Sequence, residues 1–168
     1  MKKTLCILLT FMLALLCGCS KPTSNISVVI EKLAFTAELD YNGEDYIFKT
    51  EIPKTSSMKI EVLKPERLKG TVLEFDSSNI SVKNNELEYT ENISALGMSP
   101  LTFLYEIYSD IPAKNYEVLN DNNGFYILGE SKNYKYKMLL STLGLPLEIH
   151  DSQNKIYVMI KETAITET

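Results

Sequence analysis

From Leu33 the apolar side chains fall on every second position: Leu33, Phe35, Ala37, Leu39 and Tyr41 share one face of an extended chain, and Ala34, Thr36, Glu38 and Asp40 share the other. This period predicts a strand with one buried face. Asn42-Gly43 follows, and as a two-residue loop, which both residues suit because they tolerate positive φ, it places Leu39 opposite Tyr46, Ala37 opposite Phe48 and Leu33 opposite Ile52. The apolar faces of the two arms then coincide. This is a strict test, because a slip of one residue would turn one apolar set to solvent. A loop at Asn84-Asn85 passes it, with Val82 opposite Leu87 and Ile80 opposite Tyr89. So does a four-residue loop from Asp151 to Asn154, with Ile149 opposite Ile156, Leu147 opposite Val158 and Leu145 opposite Ile160. Around Pro65-Glu66 a tight loop would set Val62 against Lys69, so a bulge or longer connection is expected. Further strands are expected at 115–120, 124–130 and 134–140, the last alternating Tyr134, Tyr136, Met138 and Leu140 with Lys135 and Lys137. The total is about eleven strands.

One segment has the other period. Ser99 is a good N-cap, Pro100 suits the first helical position, and Pro112 stops continuation, so a helix is expected near 99–111. Thr102, Glu106, Ser109 and Asp110 form its narrow polar stripe, and the remaining positions are apolar. So wide an apolar surface needs contact on several sides. The predicted fold is therefore mainly β with one helix (α+β): a strongly curved antiparallel meander, a half-barrel, wrapped around that helix.

The first residues belong to neither pattern. Lys2 and Lys3 precede an apolar run from Leu5 to Leu16 that is too short for a membrane span and has the layout of a secretory signal. All three cysteines, Cys6, Cys17 and Cys19, lie in the first nineteen residues. Leu16-Cys17-Gly18-Cys19 resembles a bacterial lipobox, which implies transfer of diacylglycerol to the Cys19 sulfur and cleavage before it. An ordinary secretion signal with an incidental cysteine is the alternative. The expected organisation is a leader at 1–18, a tether at 19–27 and one domain at 28–168, with the mature chain held at the extracytoplasmic face of the cell membrane by acyl chains on Cys19. Cleavage removes two of the 17 basic residues and none of the 22 acids, leaving 15 against 22 and a net charge of −7. That balance argues against nucleic acid as a partner and against electrostatic adhesion to anionic lipid.

Candidate chemistry is sparse. His150, the single histidine, falls beside Glu148 on the polar face of the last hairpin. A carboxylate-supported base is the chemical reading and a solvated loop-edge histidine the plain one, since no serine or cysteine nucleophile has a recognisable setting. No cluster has metal-ligand spacing, and no cofactor is implied. Asp121-Asn122-Asn123-Gly124 lacks the remaining ligands and closing glutamate of a calcium loop and reads better as a turn. An enzyme is not expected. Ten tyrosines are the unusual abundance. Phe35, Tyr46, Phe48, Tyr89, Phe103, Leu104, Tyr108, Tyr134 and Tyr136 are the candidate lining of an apolar interior; they form either an amphiphile pocket or an ordinary tyrosine-rich core.

The lipobox, the meander and the single helix after the sixth strand together resemble the half-barrel superfamily of the lipoprotein carriers LolA and LolB. More narrowly, the chain resembles small lipoproteins of Firmicutes and clostridial spore germination lipoproteins. The stretches that carry this are Ile60 to Gly70 (IEVLKPERLKG), the acidic turn Asp76-Ser77-Ser78-Asn79 before Ile80 and Val82, and Gly144-Leu145-Pro146. The resemblance implies a non-catalytic envelope protein whose partner is another envelope protein, or alternatively a lipid ligand held in the interior. Unlike the carriers, the chain leaves only Ser24 to Lys32 for a helix before the first strand, two turns at best, and Lys59 stands where related chains often have arginine.

Overall fold

The computed structural model describes residues 26–95, 97–113 and 116–166. The leader, Cys19 and the tether as far as residue 25 lie outside the described residues. Eleven strands form one antiparallel sheet: β1 (Leu33–Tyr41), β2 (Glu44–Lys54), β3 (Ser57–Lys64), β4 (Val72–Asp76), β5 (Asn79–Asn84), β6 (Leu87–Asn92), β7 (Leu119–Asp121), β8 (Gly124–Glu130), β9 (Lys135–Leu140), β10 (Pro146–Asp151) and β11 (Ile156–Ile165). Their order is β6-β5-β4-β3-β2-β1-β11-β10-β9-β8-β7. The chain runs outward along one arm, crosses by the helix α1 (Pro100–Asp110), and returns along the other arm until β11 pairs with β1. Strands β6 and β7 remain free edges, so the sheet is an unclosed half-barrel, the architecture expected from the alternating positions.

Registers show where the turn chemistry was sufficient. Leu39 pairs with Tyr46, Ala37 with Phe48 and Leu33 with Ile52, as Asn42-Gly43 predicts; Asn42 and Gly43 both have positive φ. The Asn84-Asn85 loop is displaced by one residue. Asn84 pairs with Leu87 and Val82 with Tyr89, because Asn85 takes the left-handed conformation and shares the loop with Glu86. The last hairpin is displaced in the same way, with Asp151 paired to Ile156 and Ile149 to Val158. Both displacements change the register by two, so the inward and outward faces keep their identity. Asp151 is thereby buried inside the sheet, where its carboxylate accepts from the backbone N–H of Gln153 (2.9 Å) and Asn154 (3.1 Å) and from Asn154 Nδ2 (2.8 Å). Leu147, expected inside, is exposed because the pairing of β9 with β10 shifts between Pro146 and Glu148.

The connection at Pro65 is long, as the failed tight turn predicts: a 3-10 turn at Glu66–Leu68 lies between β3 and β4. Arg67 reaches back to Glu44 at 2.6 Å, and Tyr46 donates to the same carboxylate at 2.7 Å. The Arg67 hydrogen bond, with help from Tyr46, holds the Glu44 carboxyl below the usual range. The strand expected at 115–120 is shorter, because only Leu119–Asp121 pairs with β8; its turn closes when Asp121 accepts from Asn123 N–H at 2.7 Å.

Helix α1 begins where predicted. The Ser99 hydroxyl accepts from Thr102 N–H at 3.1 Å with Pro100 in the first turn. Thr102, expected on the polar stripe, is buried and returns its own hydroxyl to the Ser99 carbonyl at 3.2 Å. Phe103, Leu104, Tyr105, Ile107 and Tyr108 are buried as well, so the helix contacts sheet on more than one side. Among the described residues, no helix is long and apolar enough to cross a membrane.

Candidate functional site

Three places in the half-barrel bear most directly on binding: the space between helix and sheet, the mouth between the two arms, and the free edges. The first is occupied by the protein's own side chains. Phe35 and Phe48 point inward from β1 and β2, and Phe103, Leu104 and Tyr108 descend from α1 to meet them, all buried. The Tyr108 ring stacks on Phe35 at 5.8 Å and Tyr105 on Phe75 at 4.5 Å, while Phe103 meets Tyr134 edge-on at 4.8 Å. Tyr46 packs beside Phe48 at 5.9 Å with its hydroxyl spent on Glu44. Tyr134 accepts at its hydroxyl from Ser99 N–H at 3.2 Å, which ties the start of the helix to the residue just before β9. Tyr136 lies across Gly129, its partner in β8, and donates to Asp110 at 3.3 Å, tying down the helix end. Eight of the nine candidate lining residues are therefore brought together as a packed interior.

Among the described residues, two polar atoms in this interior have no partner. The Tyr108 hydroxyl and Thr50 Oγ1 are both buried without a hydrogen bond. They bracket one residue, since Thr50 faces Phe35 across β1 and β2 and Tyr108 stacks on the same ring. Burial pushes the Tyr108 phenol far above its ordinary value, so it remains a neutral donor. An unmatched buried hydroxyl costs about 1–3 kcal/mol.

The mouth between the arms is a cleft of about 540 Å³ whose walls mix polar side chains (Ser78 and Asn92 from one arm, Glu106 and Ser109 from the helix, Lys132 and Asn133 from the other) with the apolar surface of Ile93 and Tyr105. Asn133 Nδ2 donates to Glu106 Oε1 at 2.8 Å, while Oε2 is buried without a hydrogen bond. Desolvation raises the Glu106 pKa, with the Asn133 bond opposing it.

The ninth candidate, Tyr89, is elsewhere. By register it faces inward opposite Val82, but β6 extends past the cover of α1 and leaves Tyr89 59% exposed and Leu87, opposite Asn84, 78% exposed. The sequence marked Tyr89 as inward; nothing in its alternation reports how far the helix reaches. His150 is on the outer face, hydrogen-bonded through Nε2 to Glu148 at 3.1 Å and edge-on to Tyr157 at 4.6 Å. Among the described residues no group of three or more histidine, cysteine or acidic side chains could hold a metal ion.

No protein-family model matches the sequence, and no curated protein matches it either. Solved structures do resemble it. A LolA superfamily protein from Nitrosomonas europaea is 6% identical over 87% of this chain and 91% of its own, with a TM-score of 0.46. An uncharacterized conserved protein from Thermus thermophilus is 13% identical over 83% of this chain and 82% of its own, with a TM-score of 0.52. At that identity, what the chain has in common with the Thermus protein is the fold, an open antiparallel half-barrel around one helix.

Proposed function

We propose that this chain is an extracytoplasmic lipoprotein of the LolA-like kind, related to small Firmicutes lipoproteins, anchored through lipid on Cys19, and that it acts without catalysis by binding a partner protein of the cell envelope at its β6 edge. The filled interior carries the reading: it leaves Leu87 and Tyr89, inward-facing but uncovered beside the unpaired backbone of an edge strand, as the exposed apolar surface suited to recognition. A photo-crosslinking residue placed at Leu87 or Tyr89 in the membrane-bound protein is expected to give a discrete protein adduct. The same residue at Leu128, comparably exposed on the outer face of β8, is expected to give none. Equal labelling from Leu128, or recovery of the protein in the soluble fraction, would count against the proposal.

A second reading, a carrier for an acyl amphiphile, is favoured by the two unmatched hydroxyls. If α1 withdraws, Tyr108 and Thr50 become donors for a polar head group above an apolar floor. In the ligand-free domain Tyr108→Phe is expected to raise stability by about 1 kcal/mol, because it removes an unsatisfied group without changing shape. Thermal and urea unfolding measure this. An added mass in native mass spectrometry of the membrane-derived protein would support the carrier, whereas a loss of stability in Tyr108→Phe would show that the hydroxyl is already satisfied and would remove the observation that favours it.

A further inference from the structure

The first described residues do not hang free of the sheet. Ile26, Val28, Val29 and Ile30 are partly buried against the core, and Val29 N–H donates to the Gly144 carbonyl at 2.9 Å. Gly144 belongs to the turn between β9 and β10. Since β10 runs antiparallel to β11 and β11 antiparallel to β1, that turn shares one end of the half-barrel with the start of β1 and the finish of β11. Thr166 N–H donates to the Lys32 carbonyl at that same end, at 2.7 Å.

The distances then restrict orientation. The seven residue steps from Cys19 to Ile26 span at most about 25 Å. The nine residues of β1 alone put the opposite end of the sheet, with the turns at 42–43 and 152–155, roughly 30 Å further away. A chain held by lipid at Cys19 is therefore tied down close to the β9–β10 end. At the tip of that turn stands Leu143, 74% exposed, although its backbone N–H is bound by the Ser141 hydroxyl at 3.2 Å. Ile165, opposite Leu33 at the finish of β11, is also exposed there. A net charge of −7 on the mature chain offers no attraction to anionic lipid, so contact with the bilayer falls to apolar side chains.

We infer that the β9–β10 end of the half-barrel rests on the phospholipid surface that holds the Cys19 lipid, with Leu143 inserted at the boundary of head groups and acyl chains. This rests on the lipid anchor proposed above. The far turns then point away from the membrane.

The mature chain has Cys19 as its only cysteine, so a second one can be labelled alone. Thr142→Cys, Leu143→Cys and Gln153→Cys in the processed full chain would each carry an environment-sensitive fluorophore. The proteins would be reconstituted in phosphatidylcholine–phosphatidylglycerol vesicles containing a lipid-borne quencher. Labels at 142 and 143 are expected to be quenched at least twofold more than the label at 153, and Leu143→Asp is expected to abolish the quenching at 142. Equal or reversed quenching in protein that sediments with the vesicles overturns the orientation alone. Undiminished quenching at 142 in Leu143→Asp overturns the insertion. Protein that stays in the supernatant, with no lipid mass on Cys19, overturns the anchor and the orientation with it.

Discussion

Gly129→Ala is expected to destabilise the domain by about 1–3 kcal/mol, the range for forcing an extra carbon into a packed core. An ideal Cβ at this position would overlap the phenol end of Tyr136, at Cζ, Cε2 and the hydroxyl oxygen. Tyr136 is directly opposite Gly129 in the β8–β9 ladder and is buried. A glycine in mid-strand is ordinarily a weakness, and the aromatic ring laid across it fills the missing side chain's volume. The ring has little freedom to yield. Tyr116 meets it edge-on at 6.4 Å, and its hydroxyl reaches Asp110, the last residue of α1. Moving the ring would therefore loosen the end of the helix as well. Because the chain has no tryptophan, the near-ultraviolet dichroism of its tyrosines should fall along with the unfolding midpoint. A double-mutant cycle decides the cause. Tyr136→Val should remove most of the penalty for Gly129→Ala, and an undiminished penalty in that background would rule out the ring clash.

Gly129 also marks a boundary between what alternation reveals and what it does not. Period-two patterning establishes which side chains face inward, and the structure keeps that assignment along β1, β2, β9 and β11. Turn residues established one hairpin to the residue. In the other two, several adjacent polar residues could serve as the loop, and the choice between them rests on which backbone N–H groups find acceptors. Asp151 illustrates this: its polarity suggests a loop residue, yet its carboxylate is fully used by Gln153 and Asn154 and so it can be buried as the last pair of a ladder. Thr102 is buried for the same reason, since its hydroxyl is returned to the helix's own first turn. Leu147 fails in the opposite direction, because a bulge has no mark in hydrophobic periodicity.

The interior was the least legible feature, for a geometric reason. An inward tyrosine is equally compatible with lining a pocket and with filling one, and what separates the two is the approach of the helix. Tyr108 on Phe35 and Tyr105 on Phe75 are contacts between residues distant in sequence. The one signal that could have been used was the helix itself: a segment apolar on most of its circumference has few ways to leave a cavity beneath it. The same reasoning could have separated Tyr89 from the other tyrosines, as eleven helical residues span only about 16 Å and cannot cover both arms to their edges.

Gly144→Ala is expected to cost about 2–4 kcal/mol, from a left-handed backbone that disfavours a Cβ and from a collision with fixed main chain. Gly144 has φ +77°, and a Cβ there would overlap the Ser27 carbonyl oxygen. Neither side of the collision is a flexible side chain. The turn is bound within itself, with Ser141 N–H donating to Leu145 O at 2.8 Å and Gly144 N–H donating to Ser141 O at 3.0 Å, and Val29 is bound to the turn in its place. Asparagine separates the two causes, because it tolerates the left-handed region but still carries a Cβ. If backbone conformation were the whole cause, Gly144→Asn would be nearly harmless; the collision requires that it be about as damaging as alanine. The local consequence is release of 26–30, which is read by faster hydrogen exchange at Val29 and by new protease cleavage before β1. On the proposed lipid anchor at Cys19, release also lengthens the tether. The free span grows from the seven residue steps between Cys19 and Ile26 to the fourteen between Cys19 and the first paired residue, Leu33, about 50 Å of reach, more than enough to lift the β9–β10 end off the bilayer. A fluorophore at 142 should then lose its lipid quenching while the protein still sediments with membranes. Unchanged exchange at Val29 in both variants would show that Gly144 does not hold this segment in place.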